Sequence, residues 1–285
     1  MADKWTEKLV YADTADGFQH AGIMFRPVEP TSARPIGVVW NHGLGGTFYA
    51  THVVRIGRAL AEQGYTFIAG HNRGHDVGAM VRRPKEATAV LAGGVWELFG
   101  ESPHDVAAWL DVAEQQPVER IILIGHSLGA LKVVYYQANR QDPRVSGLVA
   151  ASPPVRAFQR ARELRPTAEA MVSAGRGQDL LPWGSSPVGS GTSSAQTVMD
   201  RNRIGLDLFG VENESPLVGQ IRCPMLAFFG TNEEWVGTAA DLEMIRRNAK
   251  SAARIDTRMI DGADHTFTGR ESDVATTIAT WVESL

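Results

Sequence analysis

Gly125-His126-Ser127-Leu128-Gly129 lies between Ile121-Ile122-Leu123-Ile124, the most strand-like run in the chain, and a helical stretch from Ser127 to about Asn139. A sharp strand-to-helix turn of this kind lifts a serine hydroxyl clear of a sheet. The glycines keep side chains out of the turn, and the first N–H groups of the helix favour negative charge beside it. Serine is a weak nucleophile until a base takes its proton. Of the eight histidines, only His265 follows the last expected strand, in the loop Asp261-Gly262-Ala263-Asp264-His265-Thr266-Phe267 that opens on the same sheet edge as Ser127.

A carboxylate must then hold the imidazole tautomer and stabilise its charged form. Phe228-Phe229-Gly230-Thr231-Asn232-Glu233-Glu234-Trp235-Val236 ends a strand at the right place in the chain. Glu233 is favoured for the role and Glu234 is the alternative, while Asp264, adjacent to His265, reads as a turn residue. Charge developing on an attacked oxygen needs two aimed backbone N–H groups. Leu128, just after the serine, supplies one. The glycine-rich loop His42-Gly43-Leu44-Gly45-Gly46 supplies the other, from Leu44 by preference and from Gly45 in reserve.

Two other patterns are read without chemistry. His71-x-x-x-His75-Asp76 has a metal-like spacing, but that spacing converges on a helix and this stretch carries Gly70 and Gly74, so no metal is expected there. Arg73 is expected to anchor the loop instead. The single cysteine, Cys223, permits no intramolecular disulfide and reads as a small buried residue. Trp96, Phe99, Trp183 and Phe209 suit a pocket wall or a core equally well.

The elements that must position these groups alternate. Lys8 to Asp13 and Ala21 to Arg26 predict a hairpin, Ile36 to Trp40 a buried strand, Tyr49 to Gln63 a helix, and Tyr65 to Ala69 a strand. Residues 78 to 100 read as an irregular excursion above the sheet. Ser102-Pro103 predicts a capped helix start. After the strand Val145 to Ala151 the rhythm lapses over residues 153 to 219, which hold a helix-compatible stretch from Val155 to Ala174 and a Gly/Ser-rich piece from Gly184 to Ser194. These residues read as an inserted cap with a loosely packed segment, set into a core of residues 1–152 and 220–285. The core resumes with the strand Pro224 to Phe229, a helix from Gly237, the strand Arg254 to Ile260 and a closing helix from Ser272. Such alternation predicts an α/β fold, a mainly parallel sheet of eight strands with helices on both faces.

Composition narrows the classes of function. The chain has 285 residues, 44% hydrophobic and 21% charged, enough for a sizeable core. Its 28 basic and 32 acidic side chains leave a formal charge of −4 without a basic run, so nucleic acid is not an expected partner. No stretch approaches the ~20 apolar residues of a membrane helix. The cytoplasm is the expected location, and nothing in the sequence speaks to oligomeric state.

With serine, acid and histidine in that chain order, the sequence resembles the α/β-hydrolase superfamily along nearly its whole length. The resemblance rests on His42-Gly43, Gly125 to Gly129, the Gly230 to Val236 loop and Asp264-His265. Within it, His104-Asp105 through Gly129-Ala130 and Gly230-Thr231-Asn232 are similar to the branch that contains fungal siderophore esterases. The resemblance implies a cofactor-free serine hydrolase acting on a small-molecule ester, with lactonase, amidase, thioesterase or carbon–carbon bond hydrolysis as alternatives. A non-catalytic binding protein on the same fold is the alternative of another class. Most members carry Asp where Glu233 stands, so the acid loop here must sit back by about a methylene.

Overall fold

The computed structural model describes residues 4–28, 35–186 and 191–285. In chain order it has strands β1 (Trp5–Asp13), β2 (Gln19–Pro27) and β3 (Ile36–Asn41), helix α1 (Thr51–Glu62), and strands β4 (Thr66–Gly70), β5 (Ala79–Arg83) and β6 (Thr88–Ala92). There follow α2 (Ser102–Glu114), β7 (Arg120–His126), α3 (Leu128–Arg140), β8 (Val145–Ala151), α4 (Ala157–Ser173) and α5 (Ala195–Ile204). The chain closes with β9 (Met225–Gly230), α6 (Ala239–Asn248), β10 (Ile255–Ile260) and α7 (Glu271–Glu283).

Eight strands form one sheet in the order β1-β2-β4-β3-β7-β8-β9-β10. β2 runs antiparallel to both its neighbours, and every other pairing is parallel. The expected mainly parallel, eight-stranded sheet is therefore present. Its central strands are buried on both faces, and alternate residues feed two separate cores. Val39, Ile121 and Leu123 face the core built by α2, α3 and α6. Val38, Trp40, Ile122 and Ile124 face the core built by α1 and α7.

The chain builds outward from β3 to β4, then crosses to the other side of β3 to lay down β7. The crevice between the carboxyl ends of β3 and β7 is thus a topological switch point, where open α/β sheets bind ligands. The 42–46 loop and Ser127 both emerge there.

Three readings need correction. Residues 78–100 are not irregular throughout, because β5 and β6 pair into an antiparallel hairpin that packs Val81 and Ala92 on Phe18. Most of β6 is exposed, so no apolar alternation marked it. Ser102 does not cap α2. The chain arrives through a 3₁₀ turn, Phe99–Glu101, and Ser102 already has helical backbone angles. The expectation of a loosely packed Gly184–Ser194 segment fails in its described flanks. Ser185, Ser186, Ser193 and Ser194 are buried. Leu181 donates its amide to the Ser193 carbonyl at 3.0 Å, and Arg160 donates to the Gly184 carbonyl at 2.7 Å. Polar bonding does there what apolar burial does elsewhere. Residues 187–190 lie outside the described residues.

Between β8 and β9 the inserted helices α4 and α5 share a small core of Ala168, Met171, Leu181, Ala195 and Val198. No helix among the described residues is long and apolar enough to cross a membrane. Phe99 and Phe209 belong to the main core, whereas Trp183 is exposed. Cys223 is half-buried, and burial pushes its thiol up to about 11.

β2 and β4 make room for one large side chain. A Cβ at Gly70 would lie 1.9 Å from the Trp109 ring, and one at Gly22 would lie 2.5 Å from it. The indole N–H then donates to the His71 carbonyl at 2.8 Å. Gly70→Ala should therefore destabilise the fold by at least about 1–3 kcal/mol, the usual cost of overpacking. In a Trp109→Phe background the added penalty should shrink. A double-mutant cycle by urea unfolding measures the difference, and strict additivity would disprove the packing account.

Candidate active site

Ser127 sits at the tip of the β7–α3 turn with φ 55° and ψ −128°, outside the ordinary range for a non-glycine residue. The neighbours permit that turn only because they lack side chains. A Cβ at Gly125 would meet the Gly129 carbonyl oxygen at 2.2 Å, and one at Gly129 would meet the Asn41 carbonyl oxygen at 2.2 Å. The Ser127 amide donates to the Ala151 carbonyl at 2.9 Å, which ties the turn to the end of β8.

The Ser127 hydroxyl lies 2.9 Å from His265 Nε2, and His265 Nδ1 lies 2.7 Å from Glu233 Oε2. With Nδ1–H donated to the carboxylate, Nε2 is free to accept the serine proton. Glu233 is fully buried, whereas Glu234 is exposed. The Glu233 carboxylate folds back on its own strand end, and Oε1 accepts from the Gly230 amide and from the Ser152 hydroxyl, each at 2.5 Å. That fold-back absorbs the extra methylene of glutamate.

The acid and histidine loops follow adjacent parallel strands and are zipped together. Thr231 donates its amide to the Ile260 carbonyl and Asn232 to the Ala263 carbonyl, at 3.0 and 2.9 Å, while Gly262 donates to Thr231 Oγ1 at 2.8 Å. Asp264 accepts the amides of Thr266 and Thr268, as a turn residue should.

The 42–46 loop rests on the serine turn, since a Cβ at Gly43 would come within 2.7 Å of Ser127 Cβ and 3.1 Å of the Leu128 nitrogen. Its Gly45 amide donates to the Gly74 carbonyl at 3.0 Å, so Gly45 has no N–H to spare and the reserve candidate falls away. His42 fixes the loop from below, with Nδ1 2.8 Å from the Gly43 carbonyl and Nε2 accepting the Asn72 amide at 3.1 Å. Burial, then the Lys132 charge, holds its pKa well below the usual range, so it stays neutral.

Residues 38–181 match the family model described as the alpha/beta hydrolase fold. The chain belongs to that family.

Other members of the α/β-hydrolase fold superpose along nearly its whole length. Est1E from Butyrivibrio proteoclasticus matches with a TM-score of 0.67 and 17% identity, over 97% of this chain and 98% of that one. A thermostable carboxyl esterase from Bacillus coagulans matches with a TM-score of 0.72 and 13% identity, over 98% of each chain. In sequence, 70 residues are 31% identical to phospholipase YtpA of Bacillus subtilis, a stretch covering 25% of this chain and 27% of that protein.

Around these α/β-hydrolase elements lie groups that sequence reasoning missed. Ser152, directly after β8, is fully buried and holds Glu233. Its place at a strand's carboxyl end, level with the serine turn, was the available signal. His126 donates Nε2–H to the His265 carbonyl at 2.7 Å and so sets the height of that loop. Burial first, then the His265 charge, pushes the His126 pKa well below its usual range. The same two causes bring His52 down to about 4. Arg73 anchors its loop as expected, with Nη2 and Nε each 3.0 Å from an Asp105 oxygen and Nη2 2.9 Å from Asp16. The prediction that His71 and His75 cannot converge off a helix is wrong, because a tight turn through Gly74 stacks their rings 4.0 Å apart.

Beneath the serine turn, three fully buried charges meet. Lys132 of α3 bonds Glu97 at 2.5 Å, and Arg201 of α5 bonds the same carboxylate at 3.3 Å. Lys132 also donates to Asn72 Oδ1 at 3.0 Å, while the Asn72 amide group donates to Asn41 Oδ1 and the His42 carbonyl. One hydrogen-bonded chain thus runs from the inserted helix to the 42–46 loop. Glu97 is the one carboxylate that two cations share, so Glu97→Gln strands both, whereas Lys132→Met leaves a balanced Glu97–Arg201 pair. Glu97→Gln should cost on the order of 3–5 kcal/mol, the usual penalty for stranding buried charge, and Lys132→Met clearly less. Urea unfolding of the two variants provides the check, and the reverse order would contradict it.

Proposed function

We propose that the protein is a serine hydrolase that cleaves a carboxylic ester through an acyl-enzyme. The hydrogen-bonded line from Ser127 through His265 to the buried Glu233 carries this reading. The Ser127 oxygen attacks the ester carbonyl as His265 Nε2 takes its proton. The tetrahedral oxyanion is held by the Leu128 and Leu44 amides, and collapse expels the alcohol, which receives the proton back from His265. Water, deprotonated by His265, then attacks the acyl carbonyl, and the acid leaves as Ser127 is restored. Glu233 holds Nδ1–H throughout and offsets the imidazolium charge. No organic cofactor or metal takes part in these steps.

Residues 153–219 form the proposed cap over this site. Supporting this, Ser194 and Thr197 bond to the Val95 carbonyl, and Gly94 lies so close to the 42–46 loop that a Cβ there would meet the Gly45 nitrogen at 2.9 Å. The insertion therefore reaches the wall of the crevice through residues 94–97.

Ser127→Ala should fold normally, cut ester turnover by several orders of magnitude and abolish labelling by a fluorophosphonate probe. Undiminished hydrolysis by that variant would end the proposal. Lactones, amides and thioesters assayed beside acyl esters define the bond cleaved. Glu233→Gln should lower turnover by as much as about 10⁴-fold, while Glu234→Gln should leave it nearly unchanged. The reverse pattern in steady-state kinetics would move the acid to Glu234.

A further inference from the structure

The turn after β4 brings three metal-ligating side chains together outside the proposed active site. His71, His75 and Asp76 each offer one ligand atom, and the three atoms lie within 4.8 Å of one another. His71 is only 8% exposed, and its Nδ1 is buried with no hydrogen-bond partner among the described residues. The His75 ring stacks on it at 4.0 Å with 21° between the planes, and His75 Nδ1 lies 2.8 Å from Asp76 Oδ2. Burial, then the neighbouring His75, brings the His71 pKa down to about 3, so its nitrogen remains a neutral donor.

We propose that His71, His75 and Asp76 bind one divalent transition-metal ion of the class that prefers imidazole with carboxylate, such as Zn²⁺ or Ni²⁺. Two ligands side by side on an ion with bonds of ~2.0–2.1 Å stand about 3 Å apart. The 2.8 Å contact between His75 and Asp76 already has that spacing. His71 is fixed by burial, whereas His75 and Asp76 are partly exposed, so these two shift to bring all three ligands onto the ion. Hard cations that demand an all-oxygen shell do not fit two imidazoles. The ion takes the place of the hydrogen bond between His75 and Asp76, whose proton passes to solvent, and gives the buried His71 ring a polar partner.

The turn that holds the ion abuts the 42–46 loop. Gly74 accepts the Gly45 amide, and the Tyr49 hydroxyl donates to Asp76 Oδ1 at 3.2 Å. Metal loading therefore stiffens the wall behind Leu44, and its binding can be measured without any hydrolytic assay.

Isothermal titration of the metal-free protein with Zn²⁺ tests the proposal. One equivalent should bind, and His75→Gln, Asp76→Asn and His71→Phe should each weaken it by at least about tenfold. His75→Gln alters a partly exposed side chain and keeps the test valid if His71→Phe fails to fold. Because His52, His126 and His265 form a second imidazole cluster, the titration is repeated with His265→Ala, which should bind as tightly as the parent. Absence of saturable binding would overturn the site. Loss of binding in His265→Ala with retention in His75→Gln would do the same, by assigning the ion to the triad histidine.

Discussion

The backbone of β3 and the first turn of α3 touch without side chains between them, and the site depends on that contact. Gly129 lies so close to the Asn41 and His42 carbonyls that even a methyl group has no place there. With the helix end pressed against the neighbouring strand, the β7–α3 connection has no length to spare and Ser127 is forced to φ 55°. That strained residue lifts its own hydroxyl out of the sheet. The same contact sets the 42–46 loop beside the serine, because Gly43 packs directly on its Cβ. Position, exposure and polar surroundings of Ser127 thus follow from one steric constraint.

The partners of Ser127 need no further long-range construction. β9 and β10 are adjacent and parallel, so the loops that follow them emerge side by side and bond to each other along their length. The Glu233 carboxylate, out of water, is met by three donors from Gly230, Ser152 and His265. A buried carboxylate is tolerable only when so satisfied. Ser152 comes from β8, which makes the acid's environment a joint product of two neighbouring strands.

What was legible in the sequence was whatever a local pattern encodes. Apolar runs marked the core strands, including Val145 to Ala151 to the residue, and the serine turn announced itself through its glycines. Chain order pointed to the loop that holds Glu233 and Glu234 but not to one of the two, which differ by burial, a tertiary property. Ser152 could be placed at a strand's carboxyl end, but nothing near it in sequence says that Glu233 lies opposite. β6 was missed because an exposed hairpin strand carries no apolar alternation. Ser102 reads as a cap by type, yet the turn before it had already set the helical backbone. The Gly184–Ser194 piece looks poor in stabilising content if only apolar burial is weighed. Ser193 is instead held by hydrogen bonds from Leu181 and Arg201, and Ser194 by one to the Val95 carbonyl.

The Lys132–Glu97–Arg201 cluster has a consequence for how this molecule can change. Its three charges come from α3, the segment before α2, and α5. Loss of Glu97 alone strands two cations in the interior, whereas loss of either cation leaves the other paired with Glu97. Removing Arg201 with its helix would leave Glu97 and Lys132 paired with each other, so the stretch between β8 and β9 can change without stranding charge in the core. Glu97 is therefore the member of the cluster least free to vary, because two buried cations depend on it and neither of them depends on the other.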